Sequence, residues 1–318
     1  MPGTEERTSI TGQEFTIELL AIMRSNGPPG NNSQARKTAT ISVPSVIALF
    51  AFSLWPLGAQ PPAWKVDQQK EDPNSFVRDI LGHEVEAQLQ DKALWSYREL
   101  KVEAGKQKLL VVYQTKDGEI DRLIAVNGQP LGQAEAQEED HRIAKLVSHP
   151  RQMRLEQKKK TEDGEHARNL LKMFPDAFQF EYDGRQGDLV KLKFTPNPRF
   201  HAEGHPAQVF HHMEGTLLLN PSQKRLVAID GKLISEVKFG GGLLGHLDRG
   251  GIFSVKQEEV SQGYWEVTRM HVEMKGKALF FKTIGAHDEE SYSDFKRVPD
   301  NASLQQGAEA VRKNASGK

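Results

Sequence analysis

The chain has 318 residues, 42 basic side chains against 43 acidic ones, a formal net charge of −1 and no cysteine. So even a balance gives no electrostatic case for nucleic acid as a partner. Without cysteine there are no disulfides, no thiol chemistry and no lipid-bearing cysteine of the kind an exported lipoprotein needs.

Residues 1–35 are polar, contain GPPGNNS and read as a disordered leader or an over-extended start, with Met23 an alternative first residue. Residues 36–59 have the layout of a signal peptide. Arg36 and Lys37 form the basic flank, 41–57 an apolar stretch, and Leu57-Gly58-Ala59 a small-residue exit. The expectation is export to the periplasm or beyond, with cleavage after Ala59; kept uncleaved, the stretch would be the chain's membrane anchor. Removing 1–59 leaves the net charge at −1. Residues 60–72 read as a linker and 73–298 as a single domain.

Asp72-Pro73 can cap and open a helix, and Phe76, Val77, Ile80, Leu81, Val85 and Leu89 then recur at helical spacing. Strands follow at 94–100, 108–115 and 119–126, the last two joined by the turn Lys116-Asp117-Gly118. Residues 133–174 form a charged insert, read as two helices split at His149-Pro150. Its middle, 156–165, has no apolar face and is expected to project into solvent, with Lys158, Lys159 and Lys160 a solvated surface.

From 177 onward the pattern is β: 177–183, 188–194, 207–219, 225–239, 251–260, 264–275, 277–285 and 290–298. In 225–239, Val227, Ile229, Leu233, Val237 and Phe239 fall on one face, opposite Asp230, Lys232, Glu236 and Lys238. The apolar parity of 264–275 switches between Val267 and Met270, which a bulge near Thr268 or a strand covered on both faces explains. Residues 299–318 turn hydrophilic and read as a flexible tail or a short helix. The predicted fold is α+β: about eleven antiparallel strands in a strongly curved sheet, an incomplete barrel, with the N-terminal helix and the insert covering its concave side.

Motifs for catalysis are few. Gly240-Gly241-Gly242-Leu243-Leu244-Gly245 matches a dinucleotide-binding fingerprint, but a strand rather than a helix follows, so it reads as a bend. With Gly250 and Gly251 these glycines (Gly240, Gly241, Gly242, Gly245) could form a mobile flap. His201, His205, His211 and His212 lack the spacing of metal ligands, because prolines and glycine surround the first two and the last two are adjacent on a predicted strand. No G-x-S-x-G is present, and His83-Glu84 lacks a second zincin histidine. No catalytic residue, metal or cofactor is assigned. A dispersed enzymatic site at His246, Asp248 and Arg249 would need a facing carboxylate.

The aromatic residues point instead to a cavity. Trp95, Tyr97, Phe178 and Phe180 lie on candidate strands, as do Phe239, Phe253, Trp265 and Phe281. With Val227 and Ile229 they would line the concave face for an acyl chain or similar group. The arrangement resembles the LolA/LolB-like carriers of bacterial lipoproteins and their exported relatives, described as outer-membrane lipoprotein-sorting proteins. The local match is Gly215-Thr216-Leu217-Leu218-Leu219-Asn220-Pro221 followed by Lys224-Arg225-Leu226-Val227-Ala228-Ile229-Asp230-Gly231, which looks like the family's hairpin with Asn220 where an aspartate usually stands. The resemblance covers roughly residues 74–298 and implies an unclosed barrel plugged by helices that handles an apolar ligand or a lipidated protein. The carrier's lid-latching arginine has no assignable counterpart here, and the insert is longer than the carriers need. The competing expectation is an envelope interaction or sensory module on the same scaffold with no stored ligand.

Overall fold

The computed structural model describes residues 71–315 except 104, 202–204, 244 and 279–281. The leader, the signal peptide, most of the linker and Phe281 lie outside the described residues.

Helix α1 (Pro73–Gln90) begins where Asp72 Oδ2 accepts a hydrogen bond from the Ser75 amide at 2.9 Å, with Pro73 in the first turn. Of its predicted apolar stripe Phe76, Val77, Ile80, Leu81 and Val85 are buried, whereas Leu89, in the last turn, is exposed. Three strands follow, β1 (Trp95–Glu103), β2 (Lys106–Thr115) and β3 (Gly118–Val126), then the two-residue β4 (Gln129–Pro130). The insert forms two helices, α2 (Gln133–Ser148) and α3 (Pro150–Ala177), parted at His149 as the His-Pro pair predicts. The remaining strands are β5 (Phe178–Gln186), β6 (Leu189–Pro196), β7 (Met213–Asn220), β8 (Arg225–Leu233), β9 (Val237–Phe239), β10 (Gly245–Leu247), β11 (Ile252–Ser261), β12 (Tyr264–Ala278) and β13 (Lys282–Arg297). Helix α4 (Leu304–Ala315) ends the described chain.

Eleven strands form one antiparallel path, β4-β3-β2-β1-β13-β12-β11-β8-β7-β6-β5, and the short β9–β10 hairpin adds to it through β12. The sheet does not close, because β4 and β5 stand at opposite ends of the path. It does curve, since Leu110 and Val112 near one end share a single apolar cluster with Phe178 and Phe180 at the other. Helix α3 spans the gap. At 28 residues it is about 42 Å long, and it packs against β3 before running directly into β5.

Thr268 is the extra residue in the β11–β12 ladder, where Lys256 pairs with Arg269 but Gln257 with Val267. That bulge accounts for the parity switch and keeps Trp265, Val267, Met270 and Val272 usable on one side. Val227 is likewise the extra residue between the pairs Leu218–Ala228 and Leu219–Leu226. It is buried but belongs to no main apolar cluster, while Ile229 packs against the core.

Several expectations need correction. The stretch 225–239 is two strands, because β8 ends at Leu233, whose amide and carbonyl bond to Gly251 and Gly250, and β9 leaves to pair with β10. Residues 277–285 and 290–298 are no separate pair: β13 is continuous and joins β12 to β1. Strand β7 starts only at Met213; before it, His205–Gln208 and Val209–His212 make helical turns that deliver Phe210 into contact with Phe174 and Phe178. The middle of α3 does not simply project into solvent, since Gly164 is buried and Lys160 reaches the sheet.

Of the two alternatives for 299–318, the described part takes the short helix and not the flexible tail. Ser303 and Gln306 cap α4 reciprocally, with Ser303 N donating to Gln306 Oε1 at 2.8 Å and Gln306 N to Ser303 Oγ at 3.3 Å. Ala308 and Val311 then pack with Val111, Ile120, Ile143 and Met153 in a second cluster on the outer face of β2–β3. The insert therefore serves both faces. Its first helix, α2, joins α4 outside, and the second half of α3 joins α1 inside through Ala167, Leu170, Leu171 and Phe174.

Candidate functional site

The inner face has an apolar part and a charged end. In the apolar part Phe178 lies between Phe174, Phe194 and Phe210, with ring centroids 4.4, 4.7 and 5.3 Å away. Phe180 packs on Phe174 at 6.1 Å, and Phe253 lies over Gly231 so closely that a Cβ there would fall 2.1 Å from its ring. Phe239 is buried in β9. Toward β13, Tyr97 stacks on Phe295 at 5.5 Å, and Trp95 meets Tyr264 and Phe295 edge-on. Trp95, Tyr97, Phe178, Phe180, Phe239 and Phe253 thus fall in one buried core.

Helix α1 is the cover of this face, fixed by polar contacts at both ends. Near its start Asn74 Nδ2 donates to the Phe178 carbonyl at 3.1 Å, and Lys224 Nζ lies 2.9 Å from Asp79. Near its end Glu84, 0% exposed, accepts hydrogen bonds from Arg225 Nη2 at 3.3 Å, the Leu226 amide at 3.1 Å and Gln88 Nε2 at 2.9 Å, and Arg225 Nε lies 2.9 Å from its Oε2 as an ion pair. The Arg225 guanidinium in turn lies 5.5 Å from the ring centre of Trp265, which is half-buried. Trp265 is thereby part of the helix anchorage and outside the main apolar cluster.

The charged end follows from strand periodicity. Trp95, Tyr97, Glu99 and Lys101 are alternate residues of β1, so all four point inward. Lys101 Nζ lies 2.9 Å from Glu99 Oε1 and 3.6 Å from Glu290 Oε1, and all three residues are buried. Tyr292 donates its hydroxyl to Glu290 Oε2 at 2.5 Å. Glu99 Oε2 is buried without a hydrogen-bond partner among the described residues. Burial, more than the neighbouring Glu290, raises the Glu99 carboxyl to about 7 against the pull of Lys101.

Tyr97 connects this group to the surface. Its hydroxyl donates to Glu119 Oε1 at 3.4 Å, and Glu119 also accepts Gln114 Nε2 at 3.2 Å and Lys160 Nζ at 2.7 Å. Burial raises the phenol well above its ordinary range, reinforced by Glu119 and Glu99; burial also raises the Glu119 carboxyl, against Lys160. Gly118, Glu119, Asp121, Met153 and Lys160 line a small open cleft between β3 and α3. Chemically the arrangement offers one shielded ammonium, two buried carboxylates and two phenols beside an apolar interior.

The glycine cluster is a hairpin end. Gly240, Gly241 and Gly242 turn with φ of 55°, 66° and 94°, while Gly245 pairs with Ala278 and Phe239, which ties the base of the hairpin into the sheet. Gly250 turns at φ 91° and Gly251 is buried against Met274 and Leu233. His246 Nε2 lies 3.4 Å from Asp248 and 3.9 Å from Glu236, the facing carboxylate, whereas Arg249 is exposed. His212 bonds to Ser235 Oγ at 2.7 Å and its imidazole pKa is lowered by burial, then by His211.

Sequence reasoning missed Glu84, Glu99, Lys101, Glu119, Arg225 and Glu290. For the β1 pair the signal was present: two inward aromatics at positions 95 and 97 oblige 99 and 101 to point the same way.

No family model matches the chain, and no curated protein does either. Among solved structures, that of a DUF1329 family protein from Desulfovibrio piger is similar over 76% of this chain and 100% of that chain, at 10% identity and a TM-score of 0.29. A likeness of that degree carries no argument about this chain's role.

Proposed function

We propose that this chain is an exported carrier that shelters an amphiphilic, lipid-like ligand on the inner face of its unclosed sheet. The observation that carries the reading is the cover: a continuous apolar face lies under two helices rather than a second sheet, and α1 sits there by separable polar contacts around Glu84, Asn74 and Asp79. In the described state the protein's own side chains fill the hollow, so uptake requires α1 to lift. Each methylene then buried contributes about 0.8 kcal/mol, offset by the loss of α1's own packing and by ordering of the ligand. The Glu99–Lys101–Glu290 group would meet the polar head. Export rests on the sequence of residues 36–59. No covalent step is involved.

The test uses the absence of cysteine. Asp79→Cys with Lys224→Cys, joined by a short bis-maleimide, ties α1 to the turn that leads into β8. Protein purified without detergent is extracted for lipid mass spectrometry, and uptake of a fluorescent fatty acid is titrated before and after cross-linking. Recovered lipid, together with probe uptake that the cross-link suppresses, is the expected result. Absence of lipid and of uptake in the free protein, or uptake unchanged by the cross-link, overturns the reading.

A further inference from the structure

The outward face of β12–β13 holds a group of side chains that the carrier reading does not use. His271-Val272-Glu273 and His287-Asp288-Glu289 repeat one pattern in opposite directions, and the ladder sets His271 opposite Glu289 and Glu273 opposite His287. Directly opposed residues share a face with Cβ atoms about 4.5–5.5 Å apart, so the four occupy the corners of one patch. That patch faces away from the core, because Val272 and Met274 are in the main cluster and Glu290 is buried with Lys101.

The two imidazoles sit diagonally yet lean toward each other, with ring centroids 5.8 Å apart and planes at 85°. Two imidazoles on one tetrahedral zinc, each nitrogen about 2.0–2.1 Å from the metal, hold their ring centres roughly 5 Å apart. Among the described residues none of the four side chains is engaged in a hydrogen bond or an ion pair, so no partner has to be given up. His287 is exposed and the other three half-buried, within reach of solvent.

We propose that His271, Glu273, His287 and Glu289 form a cross-strand binding site for a divalent transition metal, zinc above all. Imidazole nitrogen with carboxylate oxygen suits zinc, copper or nickel, whereas calcium and magnesium prefer all-oxygen sets. Among the described residues no three such donors already surround one point, so the metal gathers the side chains by rotamer changes instead of entering a finished cage. Arg269 and Lys275 stand one step along the same face of β12 and oppose a cation, which limits affinity. A bound metal would staple the two longest strands of the sheet.

Tag-free protein titrated with zinc chloride by calorimetry in a non-chelating buffer tests this. One zinc per chain is expected, with affinity falling at least about 10-fold in H271Q/H287Q and unchanged in H211Q/H212Q, which removes the other adjacent histidines. Far-UV circular dichroism verifies that both variants fold, and E273Q/E289Q should also weaken binding should the His variant fail to fold. No zinc uptake by the parent chain, equal uptake by H271Q/H287Q and E273Q/E289Q, or loss of uptake in H211Q/H212Q instead would overturn the assignment.

Discussion

Arg225 Nε lies 2.9 Å from Glu84 Oε2 across the contact between β8 and α1, with the carboxylate wholly out of water and the guanidinium held against Trp265. Removing one partner strands the other. Glu84→Ala and Arg225→Ala are each expected to lower stability by about 3–5 kcal/mol, read as a shift of the urea midpoint at constant slope. Because Glu84 also accepts the Leu226 amide, Glu84→Gln should cost less than Glu84→Ala. Equal losses in the two Glu84 variants would mean that charge and not hydrogen bonding holds the helix end.

Glu99 makes stability depend on pH in the direction opposite to an ordinary ion-paired carboxylate. Its carboxyl is raised from 4.5 to about 7, so the folded protein keeps a proton that the unfolded chain releases. The associated stability is fully present below pH 4.5 and lost as pH rises through 7, a change of about 3 kcal/mol. Glu99→Gln should therefore stabilise the protein above pH 7 and leave it unchanged near pH 4.5. Urea titrations at pH 4.5, 6 and 8 check this, and a uniform loss at all three would contradict it.

Two glycines should respond oppositely to alanine. Gly82 lies within α1 with open space where a Cβ would stand, so Gly82→Ala should stabilise by about 0.5–1 kcal/mol. A Cβ on Gly215 would fall 1.9 Å from the Asp230 carbonyl oxygen and 2.6 Å from the Phe194 ring, and backbone cannot yield as a side chain does. Gly215→Ala should cost about 3 kcal/mol or more, measured as a lowered Tm.

Helix α4 is expected to be a structural part of the domain. Ser303→Ala removes its cap and should cost about 1 kcal/mol. Ending the chain at Val298 uncovers Val111, Ile120 and Ile143, and the shortened protein should bind a hydrophobic dye and aggregate on size-exclusion chromatography. A monodisperse product of parental stability would show that α4 is dispensable.

Much of the architecture was readable from local pattern. The His149-Pro150 break, the α1 stripe and the Thr268 bulge each leave a mark within a dozen residues. What failed or stayed open needed distant partners. Leu233 ends β8 because it bonds to Gly250 and Gly251, and the choice between helix and flexible tail after Pro299, left open by the sequence, is made by a small apolar patch on β2–β3 that takes Ala308 and Val311. Charge also misled. Lys160 sits in a run of lysines that looks fully solvated, yet its ammonium is spoken for by Glu119 on another element, and Glu84 looks like surface helix until Arg225 comes to it.

The seam between β1 and β13 joins residues 95–103 to 288–297, the opposite extremities of the domain. Nothing synthesised early can complete its own middle: β1 waits with one bare edge until the last strand emerges, some two hundred residues later. Assembly of this molecule is therefore a late, whole-chain event, and any fragment lacking its final fifth would expose a ready template for pairing with a neighbour.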